Sequence, residues 1–383
     1  MILKNALVVD ASFVPRRLDV EMKDGRVVAL AGSIDGEGTD LTGCVIVPGL
    51  VDIHIHGCGG GDVADADVQS LQKMSAYLAS RGVTSFCPTT MTLPKEMLLE
   101  QLRAVQAFRG RESGARVLSA RLEGPYLSMA KKGAQCGAYI RPADTEEFRE
   151  LCAVTPVSIV DVAPETEGAL DFAKAVCGEV TVSAAHTAAS FEQMQAGLAA
   201  GFSHGTHLFN AMPPIQNRAP GAVTALLASS TATAEMICDG FHNHPAVVRM
   251  AQRLLGADRF AVVSDAMRAA GTGDGEFRLG GQTVYVRGGQ ARLADGTIAA
   301  STTDLFTEFH NLLDWGIPFG EALRACTINP ARVVRADSEV GSIDVGKRAD
   351  LLVLDARRNI RCVFVGGVPV YTAEGGEPCG DTL

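Results

Sequence analysis

Val51-Asp52-Ile53-His54-Ile55-His56 is an apolar run that ends on two histidines one residue apart. Alternate residues of a strand share a face, so His54 and His56 can reach one metal ion. Outward from this stretch, residues able to bind metal recur singly, each closing another short apolar run. Glu123 follows Val117 to Leu122, His186 follows Val180 to Ala185, His207 follows Phe202 to Thr206, and Asp265 follows Phe260 to Ser264. Chemistry set at the carboxyl ends of successive strands is the layout of an α/β fold, a (β/α)8 TIM-like metallohydrolase barrel.

Short apolar runs alternate with helical patterns through the middle of the chain, which is the signature of βα repeats and a parallel sheet. The strands are predicted at 51–56, 83–88, 117–122, 157–162, 180–185, 203–207, 234–238 and 260–265. Val68, Leu71, Met74 and Leu78 mark an amphipathic helix, with Gly82 as its stop. Glu276 to Ile298 departs from the pattern, with Gly280-Gly281 and Asp295-Gly296 turns between β-like runs. An antiparallel insertion is expected there, followed by helices near 303–314 and 319–326.

Both ends of the chain read as strands. Leu18-Asp19-Val20-Glu21-Met22-Lys23, an Asp24-Gly25 turn and Val27-Val28-Ala29-Leu30 make a hairpin signal. Ala349 to Leu354, Cys362 to Val365 and Val368 to Val370 repeat the style. Residues 1–49 and 340–383 are therefore expected to pair into one small β-sandwich beside a catalytic barrel of 50–339. The length of 383 residues leaves room for it beyond the roughly 250 of a barrel.

Lys and Arg total 34 against 44 Asp and Glu, a formal charge of −10, and no basic run stands out. That argues against nucleic acid or an anionic membrane as partner. No segment offers the roughly 20 apolar residues of a membrane span, and the first residues lack a signal-peptide pattern. Ten cysteines without a C-x-x-C pair read as thiols in a reducing compartment. A cytoplasmic protein is expected.

Each candidate ligand has a plainer alternative. A lone H-x-H can be two polar residues at a strand terminus, Glu123 a cap or salt-bridge partner, and His186 and His207 buried hydrogen-bonded histidines. Cys58 reads better as a packed thiol than as a ligand. What favours ligation is register: four histidines and a glutamate close strands of one barrel, and neutral imidazole suits Zn²⁺ or Fe²⁺. Asp265 would face the same mouth, where a carboxylate can move a proton for a metal-activated water; as a plain reading it caps the next segment. The fourth strand, Val157 to Val162, has no lysine to carbamylate as a bridging ligand. A His-Ala-Gly-Glu proton shuttle of the adenosine-deaminase type is also missing.

Six segments together resemble the N-acetylglucosamine-6-phosphate deacetylases of the amidohydrolase superfamily over essentially the whole chain. They are Pro48 to Gly57, Leu122 to Tyr126, Ala185-His186-Thr187, Thr206 to Met212, Asp239-Gly240-Phe241-His242 and Ser264 to Met267. The resemblance implies that Glu123, His186 and His207 share one metal and that His54 and His56 belong to a second position, giving one or two divalent ions. It implies Asp265 as catalytic acid and base. It places Ala134, Asn210, Ala211, Arg218, His242 and the backbone of Ile298-Ala299-Ala300 against a sugar phosphate, with Asp239 in the same motif as His242. Gln135 stands where some members have histidine and would touch the acetamide.

The residues agree in part. Arg218, in a Gly- and Pro-containing loop, offers a planar cation for bidentate phosphate binding, although it also reads as a solvated arginine. His242 suits the sugar or its phosphate, or is a loop histidine. His204 and His244 read as structural. Ser301-Thr302-Thr303-Asp304-Leu305 departs from the family's usual pattern. The implied reaction converts N-acetyl-D-glucosamine 6-phosphate to D-glucosamine 6-phosphate and acetate, in a homodimer. Its alternatives are the galacto epimer as substrate, or a catalytically silent relative that binds sugar phosphates.

Overall fold

The computed structural model describes residues 1–373; residues 374–383 of the expected C-terminal segment lie outside the described residues. The barrel strands are Leu50–Ile55, Val83–Thr90, Ala120–Tyr126, Val157–Val162, Thr181–Ala184, Phe202–Gly205, Thr233–Met236 and Phe260–Val262. Each pairs in parallel with the next. Closure uses residues beyond the short eighth strand. Ala266 bridges to Ile55, Asp265 N–H donates to the His54 carbonyl at 2.9 Å, and the Ser264 hydroxyl donates to buried Asp52 at 2.6 Å. The seam that shuts the barrel thereby sets Asp265 beside His54.

The third strand differs from its expected span of 117–122. It starts at Ala120 and runs on to Tyr126, so Glu123 projects from within the strand rather than closing it. The register to the fourth strand shifts between Leu122 and Tyr126, a bulge-like irregularity of the kind that re-aims a side chain.

Helices sheathe the barrel. In Val68–Ser80, the Asp67 carboxylate caps the first turn by accepting from Ser70 N–H, and Leu71, Met74 and Leu78 are buried. Gly82 follows at φ 76°. Val68 is 39% exposed, so the buried stripe begins one turn later than its pattern suggests. The expected helices near 303–314 and 319–326 are Leu305–Asp314 and Phe319–Cys326, and a further one, Ile328–Val333, was not legible.

The chain ends form one mixed sheet. Val45–Pro48 sits at its centre, between Ile2–Val9 from the N-terminal part and Leu351–Leu354 from the C-terminal part. Alternation assigns the two faces. Ile46, Leu351 and Val353 join Val20, Val27 and Phe364 in a separate apolar cluster, while Val47, Leu352 and Leu354 pack with the barrel core. The edge strand Arg26–Ala31 reaches back to the segment before Leu351–Leu354, with Val27 N–H donating to the Lys347 carbonyl and Ala349 N–H to the Gly25 carbonyl, each at 2.9 Å, so the sheet curls over this cluster.

The insertion is an antiparallel sheet of Gly275–Leu279, Gln282–Arg287, Gln290–Arg292 and Ile298–Ala300. Its final strand returns to the barrel, where Ser301 bridges to Ala266. No described helix is long and apolar enough to cross a membrane. Cys44, Cys58, Cys87, Cys238 and Cys326 are buried thiols.

Candidate active site

The strand ends aim their side chains through local backbone. His186, His207 and Asp265 have φ of 42°, 28° and 46°, the left-handed region in which a side chain costs roughly 1–2 kcal/mol. Such residues persist where the surroundings over-determine them, as at a site. Gly133 packs directly against this cluster, and a Cβ there would lie 3.2 Å from His186 Cε1 at an already left-handed φ of 54°. Glycine is required by that approach.

Glu123 is the hub. Its Oε1 stands 3.1 Å from both His186 Nε2 and His207 Nε2 and 3.6 Å from His54 Nε2. Its Oε2 stands 3.1 Å from His56 Nε2. Asp265 Oδ1 lies 3.5 Å from His54 Nε2 and 3.3 Å from His56 Nε2. Two triads sharing Glu123 have their ligand atoms within 4.8 Å of one another: His54 with His56, and His186 with His207.

The donor set fits a divalent metal. His56 Nδ1 faces the Thr89 carbonyl at 3.1 Å and His186 Nδ1 the Lys131 carbonyl at 2.9 Å, which leaves their Nε2 atoms as ligands. His54 Nε2 is buried without a hydrogen-bond partner, an orphan that a cation would satisfy.

The electrostatics point the same way. Burial opposes ionisation of Glu123, yet the His54 imidazole and hydrogen bonds from His186 and His207 hold its carboxyl well below the usual range. Burial likewise opposes ionisation of Asp265, but His54 and His56 keep its carboxyl below its ordinary value. Burial disfavours charge on His56, while hydrogen bonds to Asp265 and Glu123 push it up to about 9. A field that favours positive charge on buried imidazoles also favours a cation among them.

A cavity of about 390 Å³ opens onto this cluster. Of the residues singled out from sequence, His56, Glu123, His186, His207, Asp265, Ala134, Gln135, Asn210, Ala211, His242, Ile298 and Ala299 line it. His54 lies directly behind, fully buried. Of the residues singled out for the substrate, three are not among the lining, and a fourth is held within it. Arg218 is exposed and is not among the lining residues. Ala300 is buried in the apolar core and pairs with Ala291 in the insertion sheet. Asp239 acts on His242 rather than on the cavity, accepting from its backbone N–H at 2.8 Å and facing its Nδ1 at 2.7 Å. Gln135 is held between two neighbours: its Oε1 accepts from Thr92 N–H at 2.8 Å and its Nε2 donates to Glu123 Oε2 at 2.6 Å.

Cys58 is a buried thiol 3.7 Å from the Met74 carbonyl. His244 caps helix Pro245–Arg259, and His204 is buried against Thr233 and Glu235.

Sequence reasoning missed Lys131, Met91 and Thr297 in the lining. It also missed a charged layer inside the barrel. Arg121 donates to Asp161 at 3.1 Å, to Glu235 at 2.7 Å and to Thr206 at 2.9 Å, all fully buried. The available signal was a charge inside an otherwise apolar strand, as in Ala120-Arg121-Leu122 and Ala234-Glu235-Met236.

The amidohydrolase family profile matches residues 45–370. An N-acetylglucosamine-6-phosphate deacetylase from Lysinibacillus sphaericus is 34% identical over 363 residues, covering 93% of this chain and 94% of that protein. An N-acetylgalactosamine-6-phosphate deacetylase from Escherichia coli O157:H7 is 33% identical over 353 residues, covering 91% and 93%. Among solved structures, an aspartate-to-alanine variant of the Mycobacterium smegmatis N-acetyl-D-glucosamine-6-phosphate deacetylase, in complex with N-acetyl-D-glucosamine-6-phosphate, superposes with a TM-score of 0.90. That similarity is at 33% identity and covers 97% of this chain and 99% of that one.

Proposed function

Because the chain belongs to the amidohydrolase family and groups with its N-acetylglucosamine-6-phosphate deacetylases, we propose that it hydrolyses the acetamide of N-acetyl-D-glucosamine 6-phosphate, releasing D-glucosamine 6-phosphate and acetate. The observation that carries the reading is Asp265 facing, in one cavity, two ligand triads that share Glu123.

Glu123, His186 and His207 would hold one divalent ion, and His54 and His56 with Glu123 a second. Imidazole with carboxylate favours Zn²⁺ or Fe²⁺. When bound, such an ion polarises a carbonyl and lowers the pKa of water from about 15.7 to about 7. Asp265, facing the same cavity, would take the proton from the attacking water. It returns that proton to the amide nitrogen as the C–N bond breaks, because nitrogen leaves poorly as an anion. Gln135 fixes the Glu123 carboxylate. Lys131 and His242 line the same cavity and suit the phosphate; Asp239 orients His242. Asn210, Ala134, Ala211 and the Ile298-Ala299 backbone would border the sugar.

A second reading, the galacto epimer as substrate, is favoured by the identity to the Escherichia coli relative. The test compares kcat/KM for acetate release from N-acetylglucosamine 6-phosphate, its galacto epimer and the unphosphorylated sugar, with protein reconstituted in Zn²⁺ or Fe²⁺. Preference for the first supports the proposal, and preference for the epimer moves it to the second reading. No turnover of any would reject both and leave a sugar-phosphate-binding relative. A cytoplasmic homodimer completes the proposal: the buried thiols suit a reducing compartment, and sedimentation of the purified protein tests the dimer.

A further inference from the structure

Behind the cavity, Glu235 of the seventh barrel strand places Oε1 2.7 Å from His54 Nδ1. Its Oε2 lies 2.7 Å from Arg121 Nη1 and 3.0 Å from His204 Nε2. Glu235, His54 and Arg121 are all 0% exposed, so no water competes for these bonds. A guanidinium only donates. Arg121 is itself anchored by Asp161, Thr206 and the Ile53 carbonyl, which locks Oε2 as its acceptor and leaves Oε1 to accept from His54. In the neutral form that a ligand must have, His54 therefore carries its ring proton on Nδ1 and its lone pair on Nε2. That is the buried atom without a hydrogen-bond partner, 3.6 Å from Glu123 and 3.5 Å from Asp265. His56 and His186 are oriented by backbone carbonyls instead; at His54 a charged side chain does it.

We propose that Glu235, fixed by Arg121, is a positioning residue that sets the tautomer and orientation of His54, and so controls the affinity of the divalent-ion position made by His54, His56 and Glu123 without controlling that made by Glu123, His186 and His207. This rests on the metal-dependent reading of the cavity. Glu235→Gln is nearly isosteric but must turn its NH₂ toward either Arg121 or His54. Facing a guanidinium, two donors would oppose each other, so the amide oxygen stays with Arg121 and the NH₂ meets His54 Nδ1. His54 then carries its proton on Nε2 and cannot ligate.

The experiment is Zn²⁺ binding by equilibrium dialysis in metal buffers, with bound zinc counted by mass spectrometry, for wild type, Glu235→Gln, His54→Gln and the double variant. Glu235→Gln is expected to weaken one zinc position by about 10- to 100-fold and leave the other at wild-type affinity. His54→Gln should weaken the same position, and the double variant should lose nothing more. Wild-type affinity at both positions in Glu235→Gln, or equal weakening of both, overturns the inference. Should that variant not fold, ¹⁵N-histidine NMR of zinc-loaded wild type decides. A hydrogen-bonded proton on His54 Nδ1 is expected, and a bare Nδ1 overturns the inference. A wild-type protein that binds no zinc, or binds it without releasing acetate from N-acetylglucosamine 6-phosphate, would instead reject the reading of the site itself.

Discussion

The proton transfer proposed for Asp265 needs an ionised carboxylate in a place where burial alone would neutralise it. Its histidine neighbours reverse that penalty. Asp265→Asn keeps the shape and removes the base, so kcat should fall by about 10²- to 10⁴-fold while bound metal stays at the wild-type level. Near-wild-type turnover in the metal-loaded variant would sink the role. Asp62 shows the opposite balance. Burial pushes its carboxyl up to about 6 despite Arg268 and a backbone hydrogen bond from Ala64. Its folded pKa lies above the unfolded one, so the stability it contributes is present below about pH 4 and is lost as pH rises through about 6. Asp62→Asn has no such loss. Its stability relative to wild type should climb between pH 4 and pH 7 by up to about 3 kcal/mol, read as the shift in urea midpoints. A difference independent of pH would contradict this.

The elements position these residues through their ends. Helix Val68–Ser80 is started by Asp67 and released by Gly82, whose φ of 76° suits glycine and whose added Cβ would lie 3.0 Å from Leu352 Cδ2. Leu352 belongs to the sheet built from the chain ends, so this stop is also where the helix meets that sheet. Gly82→Ala should cost about 1–2 kcal/mol from backbone strain, with the tight Leu352 contact adding to it; chemical denaturation measures the loss. An unchanged midpoint would mean that the turn relaxes. The helix and its stop are legible in sequence because 3.6-residue periodicity and a terminal glycine are local signals. The shift of the third strand is not, since the pairing of Tyr126 with Val162 depends on a neighbour 36 residues away in the chain (162 − 126).

At the scale of the whole molecule, Arg121 ties the first, third, fourth and seventh barrel strands together through Ile53, Asp161 and Glu235. Removing one partner of a buried ion network strands the other charges. Arg121→Met is therefore expected to destabilise by about 3–5 kcal/mol, a loss that thermal unfolding would register. The metal acts at this scale too. An ion bound only by the folded barrel stabilises it by about 2.7 kcal/mol when free ion is 100 times its Kd. Dialysis against a chelator should lower the melting temperature and zinc should restore it; identical melting curves would argue against a metal in this cavity.

By itself the sequence determined the barrel and the pairing of the chain ends, and it singled out as candidates the histidines, the glutamate and Asp265 that meet at the cavity. Strand and helix periods are local, and a histidine or carboxylate that closes an apolar run declares itself. Only the tertiary structure decided which polar residues meet. It put Arg218 in solvent and Lys131 in the cavity, turned Gln135 onto Glu123, and set Glu235 behind His54 from 181 residues away. A charge within an apolar strand reads the same whether it faces a ligand, another charge or solvent, and its meaning is fixed by what the barrel's closure brings against it.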